Sequence, residues 1–350
     1  MKILSNPYRA DAQEFVLPAE VPFPSIDLEK PRKLIQRCPV AAQTPLTPLP
    51  QLADRLGVAE IWAKDERNRM GLGSFKALGA AYVIAHNAEQ GRARGATYVT
   101  ASAGNHGLSV AAGAQAFGAQ AVVFIAATVP EAFADRLRAL GAKVERKGHS
   151  YEASMAAATH AAREQGWTLL SDSSWPGYVE APHRLMEGYL VLMGEVFDQI
   201  PTPPTHLFLQ AGVGGLAGAA AAIARDKWEG KPTIVVVEPE FAPALAESID
   251  AGAPVVAPGP VSVMGRLDCK EPSLIALKGL ARDADFFARI TEAEGQEGAN
   301  IAANLGAPST PSGAAGLAGL LAADSYRKEL NLSGESRILV VLSEGSENPD

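Results

Sequence analysis

The chain has 350 residues, 47% hydrophobic and 20% charged, with a net charge of -8 at neutral pH, the composition of a globular protein with one large or two ordinary domains. The acidic balance argues against a nucleic-acid partner, and the longest small-apolar run, Leu216 to Ala224, is far too short to cross a membrane. Two distant cysteines, Cys38 and Cys269, make no disulfide framework and suit a reducing cytoplasm, as does an N-terminus without the apolar stretch of a signal peptide.

Residues 1 to about 45 are Pro-rich and weakly periodic and read as an arm wrapping the surface. Short apolar runs then alternate with helical patterns. Strands are expected at Ile61-Trp62-Ala63, Tyr98-Val99-Thr100, Ala121 to Ile125, Thr168-Leu169-Leu170, Leu207-Phe208-Leu209, Ile234 to Val237 and Ile338 to Val341. Helices are expected between them, among others over Pro130 to Leu140, Tyr151 to Gln165 and His183 to Phe197. Alternation of this kind with β-branched strands predicts an α/β protein with mostly parallel sheets.

Three stretches carry chemistry. Lys76 stands in Gly71-Leu72-Gly73-Ser74-Phe75-Lys76-Ala77, ahead of the apolar run Ala80 to Ala85. Burial lowers an ammonium's pKa, and a neutral amine can form a Schiff base with an aldehyde. A lysine there can also simply snorkel from a helix end. Ser102-Ala103-Gly104-Asn105-His106-Gly107 follows one strand, and Gly212-Val213-Gly214-Gly215-Leu216-Ala217 follows another. Glycines between a strand and a helix let backbone N–H groups converge on an anion where the helix dipole favours one. The second loop also fits the dinucleotide fingerprint, with Glu238 at the end of the next strand as a ribose-binding acid. Nothing near it looks like a hydride-transfer site, so a nicotinamide oxidoreductase is the remote alternative.

Taken in order with Val340-Val341-Leu342-Ser343-Glu344-Gly345, these segments resemble the fold-type II family of pyridoxal-phosphate enzymes. That family includes threonine and serine dehydratases, serine racemase and diaminopropionate ammonia-lyase. The resemblance implies two α/β domains with twisted, mostly parallel sheets and the cofactor in the cleft between them. The large domain would comprise residues 1–79 and 191–350, and a small substrate-carboxylate domain residues 80–190. It makes Lys76 the Schiff-base lysine and the base at the substrate Cα. Gly212, Val213, Gly214, Gly215 and Leu216 would hold the phosphate. Asn105 would bond the ring oxygen, and Ser343 would face the pyridine nitrogen, where a hydroxyl instead of a carboxylate favours β-elimination over transamination. Backbone N–H groups of Ser102, Ala103, Gly104, Asn105 and His106 would take the substrate carboxylate. On the residues alone, Asn105 can equally be a helix cap, Ser343 a strand-end serine and the His106 side chain structural.

Trp62-Ala63-Lys64-Asp65-Glu66, Ser171-Asp172-Ser173-Ser174-Trp175-Pro176-Gly177-Tyr178 and Met264 to Ser273 look closest to the diaminopropionate ammonia-lyase subfamily. There Asp172 would lie near the substrate's β-substituent, a carboxylate suited to a β-ammonium group; its plain alternative is a turn aspartate. Ala103 departs from that subfamily, which has aspartate there; threonine dehydratases have alanine. The expected reaction is β-elimination from 2,3-diaminopropionate or a related β-substituted L-amino acid, giving a 2-oxo acid and ammonia. An L-serine or L-threonine type dehydratase is the alternative, and a non-enzymatic binding protein would need Lys76 idle. The expected partners are a small amino acid and a second copy in a cytoplasmic homodimer, with no metal, nucleic acid or membrane.

Overall fold

The computed structural model describes residues 1–10 and 15–346. In chain order come β1 (Lys2–Ser5), α1 (Pro7–Ala10), α2 (Glu29–Ile35), β2 (Leu46–Pro48), α3 (Pro50–Leu56), β3 (Glu60–Asp65) and α4 (Lys76–Glu89). β4 (Thr97–Ala101), α5 (Asn105–Ala116), β5 (Gln120–Ile125), α6 (Glu131–Ala139), β6 (Lys143–Arg146), α7 (Tyr151–Gln165), β7 (Thr168–Leu169) and α8 (Glu180–Gln199) follow. The rest is β8 (His206–Gln210), α9 (Gly215–Lys227), β9 (Thr233–Pro239), α10 (Ala244–Ala251), α11 (Leu274–Asp283), β10 (Phe286–Ile290), α12 (Glu292–Asn304), α13 (Ala315–Leu321) and β11 (Arg337–Leu342).

The strands form a seven-stranded sheet, ordered β1-β10-β9-β8-β11-β3-β2, and a four-stranded sheet, ordered β6-β5-β4-β7. The small sheet is parallel throughout; in the large one only the edges β1 and β2 run antiparallel. The central strands are continuous apolar runs because helices cover both faces. β8, His-Leu-Phe-Leu-Gln, is buried at every residue. α7 begins and ends where the sequence predicts, with Ser150 accepting from the Ala153 N–H at 3.3 Å and Gly166 closing it at φ +65°.

The first 45 residues are not merely a surface arm. β1 pairs with β10 as an edge strand, and Val21, Leu34 and Ile35 are buried. α4 and α8 cross closely: a Cβ at Gly188 would come 2.5 Å from the Leu78 carbonyl, and one at Gly79 would come 2.7 Å from the Tyr189 ring. No helix among the described residues is long and apolar enough to cross a membrane.

Below the turn that leads into α4 lies a buried ionic cluster. Lys64 Nζ donates to Glu195 Oε2 at 2.7 Å and to the Thr44 carbonyl at 2.6 Å. Arg69 donates to Glu195 Oε1 and Glu66 Oε1, both at 2.7 Å, and Thr44 Oγ1 donates to Glu66 Oε1 at 2.6 Å. Two cations and two carboxylates thus cancel out of water, and they tie β3 and its turn to α8.

Candidate active site

Both sheets bring their loops together by the same topological device. In the large sheet the chain moves outward from β8 through β9 to β10 and then crosses back to β11. The carboxyl ends of β8 and β11 therefore open at a switch point, the place where open α/β sheets bind ligands. The glycine loop leaves β8 there, Ser343 leaves β11, and Lys76 follows the turn beyond β3, the other neighbour of β11. In the small sheet the reversal falls between β4 and β7. There the Ser102–His106 loop leaves β4 and the segment carrying Asp172 leaves β7.

Lys76 is the first residue of α4 and donates to Asp172 Oδ2 at 2.5 Å, linking the two sheets. Its ammonium also lies 5.2 Å from the Phe75 ring centre and 6.0 Å from that of Tyr189. Burial works against the ammonium, but the Asp172 carboxylate outweighs it and holds Lys76 above the ordinary lysine range. This corrects the expectation that burial alone would depress it. Burial likewise works against ionised Asp172, and Lys76 overcomes it, holding that carboxyl well below its usual range.

The glycine loop turns on Gly214, whose φ of +99° is left-handed and caps α9. A Cβ at Gly214 would come 2.9 Å from Ala276, and one at Gly212 would come 3.0 Å from Cys269 Sγ. Side chains are thus excluded at Gly212 and Gly214, leaving the first backbone N–H groups of α9 to whatever anion lies there. Glu238 does not serve a ribose. It is fully buried, accepts from the N–H groups of Leu245 and Ala246 at 2.8 Å each, and so caps α10. Burial pushes its carboxyl up to about 8.

Ser343 is buried, and its Oγ accepts from Gln210 Nε2 at 3.0 Å. With that acceptance made, the hydroxyl's own proton is turned elsewhere, which suits an unprotonated pyridine nitrogen. Asn105 opens α5, but the cap is Gly104 and no side chain caps that end. Instead Asn105 Nδ2 donates to Glu344 Oε2. Thr310 Oγ1 donates to the other carboxylate oxygen, and Arg266 Nε lies 3.9 Å from Glu344 Oε2. Ser102 Oγ accepts from the Gly104 N–H at 3.3 Å, while Ala103 is half-buried and packs on the main core. His106 is buried with Nε2 2.8 Å from the Leu170 carbonyl, and burial lowers its pKa. A Cβ at Gly107 would strike the Ser102 carbonyl at 2.1 Å, so the turn into α5 needs that glycine.

Sequence reasoning missed Glu344, Gln210, Arg266, Tyr189 and the place of Cys269. Cys269 borders the site, and burial first, then Asp172, push its thiol up to about 12. These residues come from separate segments, and only the fold puts them beside Lys76 and Asn105. The nearest signal in the sequence was Glu344, an acid two residues beyond a buried strand.

The residues fit pyridoxal phosphate: a lysine, a helix N-terminus opened by Gly214 and Gly215, and a hydroxyl whose proton is turned away from its own acceptor contact. A family model described as pyridoxal-phosphate dependent enzyme matches residues 38–344. A diaminopropionate ammonia-lyase of Salmonella typhimurium is 32% identical, over 90% of this chain and 88% of that protein. A solved structure of the Escherichia coli diaminopropionate ammonia-lyase, in complex with an aminoacrylate–PLP azomethine reaction intermediate, is 28% identical. It superposes with a TM-score of 0.88 over 99% of this chain and 94% of that one. Maize serine racemase, 21% identical with a TM-score of 0.80 over 92% of this chain and 94% of that one, shares the fold.

Proposed function

The chain belongs to the pyridoxal-phosphate-dependent enzyme family, and we propose that it is an ammonia-lyase eliminating the β-amine of 2,3-diaminopropionate or a related β-substituted L-amino acid. The products are a 2-oxo acid and ammonia. The observation that carries the reading is the contact of Asp172 with Lys76 at 2.5 Å. A carboxylate that holds one primary ammonium can hold another. Once the Lys76 nitrogen is engaged by the cofactor, Asp172 is free to take the substrate's β-ammonium.

Pyridoxal phosphate, when bound, supplies an electron sink for the pair left at the substrate Cα. Lys76 would hold the cofactor, and its amine would remove the Cα proton from the face on which it stands. Asn105 would donate to the ring oxygen through the amide proton that Glu344 does not take. Ser343 donates to the ring nitrogen, and Gly212, Val213, Gly214, Gly215 and Leu216 seat the phosphate. The N–H groups of Ser102 to His106 receive the substrate carboxylate, on a small domain of residues 80–190 facing a large domain built from 1–79 and 191–350.

Ala103 favours a second reading, the L-serine or L-threonine type dehydratase, because threonine dehydratases have alanine there and the ammonia-lyase subfamily has aspartate. A panel of amino acids scored for 2-oxo acid and ammonia separates the two. Faster turnover of L-serine or L-threonine than of L-2,3-diaminopropionate would establish the dehydratase. A cytoplasmic homodimer belongs to the same proposal; the free state of Cys38 and Cys269 suits a reducing compartment, and sedimentation reads the assembly.

A further inference from the structure

Tyr189 is a site neighbour whose polar atom the proposed chemistry leaves without work, as are His106 Nδ1 and Gln210 Oε1. It lies on α8, is 2% exposed, and its hydroxyl makes no hydrogen bond of ordinary geometry among the described residues, although the Lys76 ammonium is close enough to act on it. An unpaired buried hydroxyl is costly, and native proteins keep few of them. The ring is wedged by its hydroxyl end. A Cβ at Gly79 would come 2.7 Å from Tyr189 Cε1, and one at Gly215 would come 3.4 Å from Cε2. The two carbons flanking the hydroxyl-bearing carbon thus touch the first turn of α4, one turn beyond Lys76, and the first residue of α9. Phe75 holds the ring edge-to-face at 4.9 Å between centres. Burial pushes the phenol's pKa up and the nearby Lys76 charge pulls against it, so the group is a neutral donor at working pH.

We propose that the Tyr189 hydroxyl is a further ligand of this site, donating its proton to the phosphate monoester seated on the glycine loop at the start of α9. The proposal rests on the pyridoxal-phosphate reading. A phosphate dianion only accepts, and the loop's backbone N–H groups come from one side of it. Tyr189 adds a side-chain donor from α8, the helix that also carries the buried Glu195. Gly79 lacks a side chain where that ring must enter.

The test is Tyr189→Phe, which removes one oxygen and keeps the packing. Full-length enzyme stripped of cofactor is titrated with pyridoxal phosphate and, separately, with pyridoxal, which lacks the phosphate. The expected result is a loss of about tenfold in affinity for pyridoxal phosphate with pyridoxal binding unchanged. Inorganic phosphate should compete more weakly in the variant, and the stripped variant should melt no lower than wild type, since only an unpaired hydroxyl is gone. Equal affinity for pyridoxal phosphate in both proteins overturns the proposal, as does an equal loss for both ligands. A wild-type protein that takes up no pyridoxal phosphate overturns the functional reading itself.

Discussion

Asn105 and Glu344 meet across the two sheets, the carboxamide nitrogen of one donating to the carboxylate of the other. A carboxylate only accepts, so it fixes which end of the amide faces it and leaves the second N–H of Asn105 for another acceptor. Glu344→Gln removes that constraint, because an amide can donate or accept. Turnover should fall about tenfold. In an Asn105→Ala background the same change should cost little more, the mark of a residue acting through its neighbour. Additive losses would mean that Glu344 works independently of Asn105.

Lys76 should carry the cofactor. Borohydride reduction of the yellow protein, followed by peptide mass mapping, should find the pyridoxyl group on Lys76. A label on another lysine would remove the basis of the proposed site.

Gly214 tolerates no side chain on conformational grounds alone, so Gly215 is the cleaner probe of the phosphate seat. A Cβ there lies 3.4 Å from the Tyr189 ring, an ordinary contact. Aspartate at a helix N-terminus suits the dipole, so Gly215→Asp should fold. Its carboxylate would nevertheless occupy the anion's place. Cofactor affinity should fall on the order of a hundredfold by spectrophotometric titration. Normal affinity would place the phosphate elsewhere.

Asp172→Asn should lower activity on L-2,3-diaminopropionate more than on L-serine, since only the diamine presents a β-ammonium. It also removes the charge that raises the Lys76 pKa. The neutral amine then appears at lower pH, so the pH dependence of cofactor uptake by stripped enzyme should shift to lower pH. An unshifted profile with equal losses on both substrates would reduce Asp172 to a structural role.

Stereochemistry at Cα depends on where a proton carrier stands. Lys76 serves one face, and the Ala103 methyl can carry no proton on the other. Wild type should release 2-oxo acid from L-2,3-diaminopropionate and not from the D-enantiomer, and Ala103→Asp should introduce D-activity. Comparable wild-type rates on both enantiomers would require a second base.

The parts legible in the sequence were those whose signal is local. Buried strands such as Leu207-Phe208-Leu209 and Ile338 to Val341 announce themselves by composition, and the glycine loop and Lys76 by their immediate neighbours. β1, β2 and β6 carry no such signal. Lys143–Arg146 is half-exposed and polar, and β1 is a strand only because β10 lies beside it. The depressed lysine pKa was misjudged for the same reason: Lys76 and Asp172 are 96 positions apart, and only the fold makes them an ion pair. Tyr189 carries no local signal either: Gly79 and Gly215, which lie beside the two ring carbons flanking its hydroxyl, are on other helices.

The buried quartet of Lys64, Glu66, Arg69 and Glu195 sets a rule for how this chain can diverge. Losing any one member leaves an uncompensated charge in the interior, a cost of about 3–5 kcal/mol and a large share of a domain's whole stability. Replacing members together by apolar groups of similar volume can be nearly neutral. The four positions should therefore drift through descendants as a block. A homologue that has lost Glu195 should also have lost Lys64 or Arg69, even though none of them touches a reacting atom.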